Sequence, residues 1–184
     1  MDKKILLSLF NRSYRTIRDY MGSLSLYKFY NFKKKTKSCD QADLPDVIRL
    51  YQQNFDGGHE ASIERYQRLF KHTFYIIKNE EGEMMGYCLY TIHFSIQNQN
   101  IIRYATIYSF AVDDRFQGEG IGGTLLSESI TELKNNNIYV IRLFVDMLNS
   151  PAVHLYKKFN FNIQGTIENR CGQGKKCYSM ELLL

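Results

Sequence analysis

The sequence predicts a mixed α/β (α+β) fold. Three observations carry the prediction. The chain has 184 residues, enough for one domain with a substantial core. Its apolar patterning switches repeatedly between the period of a strand and that of a helix. A turn containing Gly118, Gly120 and Gly122 stands between an apolar strand and an apolar-faced helix.

The elements follow in order. Residues 5–21 read as an amphipathic helix: Leu6, Leu9, Phe10, Ile17, Tyr20 and Met21 approximate one face, and Arg12, Arg15 and Arg18 populate another, with Gly22 as a stop. A first strand is expected between Tyr27 and Lys37. Asp43 then caps a helix whose first turn holds Pro45 and Asp46. A second helix spans about Ser62 to Phe70. Strands at Phe74–Lys78 and Met84–Ser95 flank a turn at Glu80–Glu83. Ile101–Val112 is the next strand, and a helix runs from Gly120 to about Lys134. Ile138–Asp146 is apolar enough to be a buried strand. A helix over Pro151–Phe159 and strands over Phe161–Glu168 and Cys177–Leu183 complete the chain. The organisation is an N-terminal extension, residues 1–32, before a domain at 33–184.

Charge separates these two parts. The net charge is +5, yet residues 1–38 alone hold ten Lys/Arg and two Asp. The basic character therefore belongs to the front segment, residues 1–38, and not to the rest of the fold. It suits an anionic surface or an amphipathic packing role, and no firm nucleic-acid partner follows. No apolar run reaches the ~18 residues of a membrane span. The apolar stretch Ile5–Phe10 is too short for a signal peptide, so a cytoplasmic location is expected. Cys39, Cys88, Cys171 and Cys177 fit no zinc or redox spacing, so no metal and four free thiols are expected.

The segment Phe110-Ala111-Val112-Asp113-Asp114-Arg115-Phe116-Gln117-Gly118-Glu119-Gly120-Ile121-Gly122 carries the chemistry. At a helix start, backbone N–H groups lack helical partners and can converge on one anion, which the helix dipole favours. Glycine removes the Cβ that would keep a phosphate away. This is no P-loop, since no Gly-Lys-Ser/Thr follows, and no acidic residue stands some twenty positions on, as a dinucleotide fold requires. The turn alone leaves phosphate binding and tight packing both open.

Gln117-Gly118-Glu119-Gly120-Ile121-Gly122 resembles the Gln/Arg-x-x-Gly-x-Gly/Ala signature of the GCN5-related N-acetyltransferases (GNAT), although Arg115-x-x-Gly118-x-Gly120 also fits the formula. Asn149-Ser150-Pro151-Ala152-Val153-His154-Leu155-Tyr156 resembles the family's second motif, with Asn160 in place of its glycine. Asn tolerates the left-handed conformation that such a helix exit needs. The resemblance covers about residues 36–184, and the finer likeness is to the ribosomal-protein alanine N-acetyltransferases. It implies a central mixed, mostly antiparallel sheet of about seven strands flanked by about four helices. It implies acetyl-CoA as co-substrate and an amine acceptor, a small molecule or a protein N-terminus, attacking directly in a ternary complex. Phe110, Ala111 and Val112 would bind the pantetheine arm, and the amides of Gln117, Gly118, Glu119, Gly120, Ile121 and Gly122 the pyrophosphate. Asn149 would order the cofactor and Tyr156 protonate the leaving sulfur; a helix cap and a packed aromatic are the plain alternatives.

The base departs from the pattern. Family glutamates fall here at Tyr108 and Phe144. Asp146, on the face of Phe144 by alternation, is the candidate base. His93, His154 or a water relay are the alternatives. A non-catalytic acyl-CoA-binding module is the second functional reading, and a homodimer stays open.

Overall fold

The computed structural model describes residues 3–27, 29, 35–55, 58, 60–97 and 99–184. Helix α1 (Lys3–Leu24) leads to a short strand β1 (Lys37–Ser38), then α2 (Leu44–Asn54) and α3 (Glu60–Phe70). Strands β2 (Phe74–Lys78), β3 (Met84–Gln97) and β4 (Asn100–Val112) form a meander. Helix α4 (Ile121–Asn135), β5 (Val140–Asp146), α5 (Ser150–Lys158), β6 (Asn162–Glu168) and β7 (Lys176–Leu183) follow. The strands make one 7-stranded sheet in the order β1-β2-β3-β4-β5-β7-β6.

All neighbours are antiparallel except β4 and β5. That parallel join has only the pairs Tyr104–Val140, Ala105–Ile141 and Thr106–Arg142. Beyond them the ladder stops, while β3 stays paired to β4 up to Val112 and β7 to β5 down to Asp146. The sheet therefore opens between Ile107–Val112 and Leu143–Asp146. On β4 the register slips between Leu89–Ser109 and Tyr90–Ile107, which leaves Tyr108 as the extra residue of a bulge.

Alternation sends successive side chains to opposite faces. Tyr75 and Tyr90 stack edge to face, and their hydroxyls reach Glu132 and Ser129 of α4. Phe74 and Tyr87 form the corresponding pair on the other face. Leu125, Leu126 and Leu133 bury α4 against one side of the sheet. Val47, Leu50, Ile63 and Phe70 join α2 and α3 to the same core.

Helix α1 docks by its C-terminal turns. Gly22 lies so close to the carbonyl of Ile92 that a Cβ would collide with it. Asp19, fully buried, pairs with Arg18 and Arg65 and accepts a hydrogen bond from the Tyr66 hydroxyl. Gly22 thus serves close approach, and the helix continues past it to Leu24.

One expectation needs correction and another is met only at its edge. The first described strand begins at Lys37, the last residue of the range expected for it. Thr36 is diverted to the Glu128 carboxylate of α4, so pairing to β2 starts only at Lys37; residues 28 and 30–34 lie outside the described residues. Four free thiols were expected, but Cys171 and Cys177 form a disulfide, with Cα atoms 6.1 Å apart. A turn with positive φ at Gly172 and Gly174, tied by Gly174 N–H to the Asn169 side chain, folds one cysteine back onto the other. Cys39 and Cys88 are free and buried.

Candidate active site

The glycine turn sits at the end of β4. Asp113, 1% exposed, clamps it: its carboxylate accepts from the backbone N–H and guanidinium of Arg115 and from Arg49 of α2. These bonds, with Arg115 first, hold the carboxyl down at about 2 despite its burial. Gly118 and Gly120 have φ of 84° and 82°, values that L side chains adopt only with strain. Gly120 is the N-cap of α4 and offers no side-chain cap. The first helical bond runs from Thr124 N–H to Gly120 C=O, 2.9 Å. The amides of Ile121, Gly122 and Gly123 have no partner inside the helix. Gly122 packs against Phe110 and Leu155, which brings α5 against the start of α4.

Beside these amides is an open cavity of about 500 Å³ whose wall includes Gly120, Gly123, Thr124, Ser127, Leu155 and Lys158. Nothing lies within 4 Å of where a Cβ on Gly120 would be. The donor amides, the helix terminus and the space together fit a phosphate group. Sequence reasoning missed Gly123, Thr124, Ser127 and Lys158. The first three were readable, because they continue from Gly120 at helical spacing on the face opposite Leu125 and Leu126. Gln117 turns its side chain back to Val112 C=O and Asp114, Glu119 is exposed and Ile121 is buried.

On the other side of the opening, Tyr156 is buried between Phe110 and Phe161, ring centroids 6.2 and 5.6 Å away. Burial, with the nearby Cys88 thiol as a smaller cause, pushes its phenol well above the ordinary tyrosine range. Its hydroxyl makes no hydrogen bond among the described residues. Asn149 caps α5, its Oδ1 accepting from Ala152 N–H at 3.1 Å. Asn160 has φ 63°, the left-handed exit read from the sequence. The only carboxylate on the separated lengths of β4 and β5 is Asp146. Its Oδ1 accepts from Leu148 N–H, and Lys175 stands 3.9 Å from Oδ2. Phe144 lies under the guanidinium of Arg170, 4.9 Å from ring centre. Tyr108 packs edge-on against Tyr66 of α3. His93 is buried under α1 and bonds Thr91; burial, reinforced by Arg18, lowers its pKa to about 4, so it is neutral near pH 7. His154 is exposed.

Residues 44–161 match the family model described as acetyltransferase (GNAT) family. This chain belongs to the GNAT family. An N-alpha-acetyltransferase of Sulfolobus acidocaldarius is 32% identical over 111 residues, 58% of this chain and 66% of that relative. The chain thus spans just under two thirds of that relative's length. A [ribosomal protein bS18]-alanine N-acetyltransferase of Salmonella typhimurium is 36% identical over 64 residues, 35% of this chain and 43% of the relative. The crystal structure of Ard1 from Thermoplasma volcanium superposes with TM-score 0.72 at 24% identity, covering 81% of this chain and 96% of that one. The mixed, mostly antiparallel sheet expected of GNAT proteins is thereby borne out. Among the described residues no group of His, Cys, Asp and Glu could hold a metal, and no helix is long and apolar enough to cross a membrane.

Proposed function

We propose that the protein is an acetyl-CoA-dependent N-acetyltransferase acting on a primary amine, with a protein N-terminus as the preferred acceptor. One observation carries the reading: the sheet parts between β4 and β5 beside a helix terminus of uncapped amides and over a buried phenol. Bound acetyl-CoA supplies an activated acyl group and a thiolate leaving group. The amides at the start of α4 hold the pyrophosphate, and the free edge of Phe110–Val112 lines the narrow arm. A β4 N–H polarises the acyl carbonyl and stabilises the oxyanion that forms on attack. Asn149 keeps α5, and so Tyr156, at a fixed height over the opening.

Tyr156 brings a phenol whose hydroxyl has no hydrogen-bond partner among the described residues. Its raised pKa keeps it protonated through neutral pH, so it stabilises the departing sulfur first by hydrogen bonding and then by proton transfer. Proton removal from the amine falls to Asp146 or to a water relay. The relatives named for N-alpha and ribosomal-protein alanine acetylation support the choice of acceptor. We assign the reaction to the cytoplasm. The Cys171–Cys177 disulfide is uncommon in a reducing compartment, so whether the pair is joined in protein taken from cells tests this assignment.

One observation favours the second reading, an acyl-CoA-binding module without turnover: the Asp146 carboxylate is engaged by Leu148 N–H and faces Lys175. A screen of amines and N-terminal peptides with acetyl-CoA, reading released thiol, decides. Peptide-dependent thiol release is expected. Tight acetyl-CoA binding with no release for any acceptor would establish the binding module instead.

A further inference from the structure

Helix α1 leaves the domain partway along its length. Its described side chains from Leu7 to Ile17 are all exposed, whereas Asp19, Gly22 and Leu26 are buried. Leu7, Phe10, Tyr14, Ile17, Met21 and Leu24, each 54–67% exposed, fall at alternating spacings of three and four. At 3.6 residues per turn they share an arc of about 100° opposite the docking face, and Tyr20, 56% exposed, widens it to about 140°. Such an arc is broader than a coiled-coil seam.

The opposite arc is cationic. It holds Arg12, Arg15 and Arg18 against a single acid, Asp19. That acid is consumed by Arg18 and Arg65 inside the docking contact. No carboxylate on α1 is therefore left to receive a basic partner. A second copy of the helix would bring the same positive charge to the contact.

The β3–β4 hairpin extends the surface. Gly22 sits on the carbonyl of Ile92 in β3, so α1 packs on this hairpin. Farther along the same hairpin the cross-strand pair Ile96–Ile101 is 79% and 71% exposed.

We infer that α1 is a peripheral docking helix for an anionic lipid surface, with its apolar arc in the headgroup boundary and its arginines over the lipid charges. An apolar arc paired with a Lys/Arg face is the combination that adsorbs in the plane of such a surface without spanning it. The body, attached on the opposite arc, then stands on the solvent side. This inference is independent of the acetyl-transfer reading.

The test is co-sedimentation of the full chain with phosphatidylcholine vesicles, with and without phosphatidylglycerol. Partitioning should be at least about tenfold stronger onto the anionic vesicles and should fall with added salt. Phe10→Gln with Ile17→Gln, which keeps helix propensity, should lower it at least about tenfold. Arg12→Glu with Arg15→Glu should do the same on anionic vesicles only. Thermal melting midpoints should be unchanged in both variants, which reports an intact domain. Absence of sedimentation, equal sedimentation on both vesicles, or a lipid-free dimer that Phe10→Gln with Ile17→Gln dissociates would overturn the inference, the last by showing a second copy on the face.

Discussion

The two walls of the opening are built from different materials. The wall from Val112 to Thr124, which we assign to the cofactor, is made of backbone: positive-φ glycines, uncapped amides and a carboxylate clamp that holds the loop. The opposite wall, from Phe144 through the β6–β7 turn, which we assign to the acceptor, is made of side chains. There an arginine lies on a phenylalanine, a lysine stands near an aspartate and two cysteines are joined. A backbone site recognises what all acyl-CoA ligands share, because its donors are fixed by conformation. A side-chain wall can change its acceptor through single substitutions. The comparison makes distinct demands on binding and on turnover.

The largest effect should come from Tyr156→Phe. The ring stays between Phe110 and Phe161, so acetyl-CoA should bind as before, while kcat falls by about 10²- to 10⁴-fold, the usual scale of general acid catalysis. Single-acceptor turnover beside a melting curve checks this. Near-normal kcat would remove the phenol from the mechanism.

On the cofactor wall the reverse split is expected. Gly120→Val places a branched side chain at φ 82° and into the cavity. Acetyl-CoA affinity should drop at least about 100-fold, equivalent to two charge-assisted hydrogen bonds of about 1.5 kcal/mol. Calorimetric titration of a folded variant with undiminished affinity would show that the phosphates sit elsewhere.

The clamp should appear as a pH dependence of stability. Asp113 is held at about 2, below the ~3.9 of an unfolded Asp, so its contribution is present above pH 4 and is lost as pH falls through 2. The amount is about 2 kcal/mol. Urea midpoints measured between neutrality and pH 2 should show this loss, and Asp113→Asn should flatten it. An unchanged acid profile in that variant would mean that Arg115 and Arg49 do not set the loop.

The smallest effect sharpens the acceptor side. Cys171→Ser frees the β6–β7 turn without touching α4, so the KM for a peptide acceptor should move a few-fold, with about the 1 kcal/mol of a single contact, while acetyl-CoA affinity stays fixed. Steady-state kinetics with either substrate varied separates the two. A change confined to acetyl-CoA would merge walls that we describe as distinct.

The same division explains what could be read from the sequence. The glycine turn was legible because few residues accept φ near +80°, so its composition states its conformation; Asn160 was legible on the same ground. Most helices and strands were legible from periodicity, within one or two residues at their ends. The acceptor wall was not. Arg170 meets Phe144, and Lys175 meets Asp146, across long separations that no local pattern encodes. The bulge at Tyr108 carries neither Gly nor Pro to announce it. Asp19 reads as part of a polar face, yet it is the buried centre of the α1 contact, because Arg65 and Tyr66 arrive from another helix.

The three-pair join between β4 and β5 has one more consequence. Past it, two strand edges face each other across the sheet, each the kind of edge that invites a foreign strand and seeds aggregation. Their divergence removes that hazard. A visiting strand could complete a ladder with one edge only over the few residues before the other edge moves out of reach. The acyl-CoA arm that we propose for this opening is a single slender chain, narrower than a strand with its side chains. The separation therefore works as a sieve, closed to self-assembly and open to a thin arm.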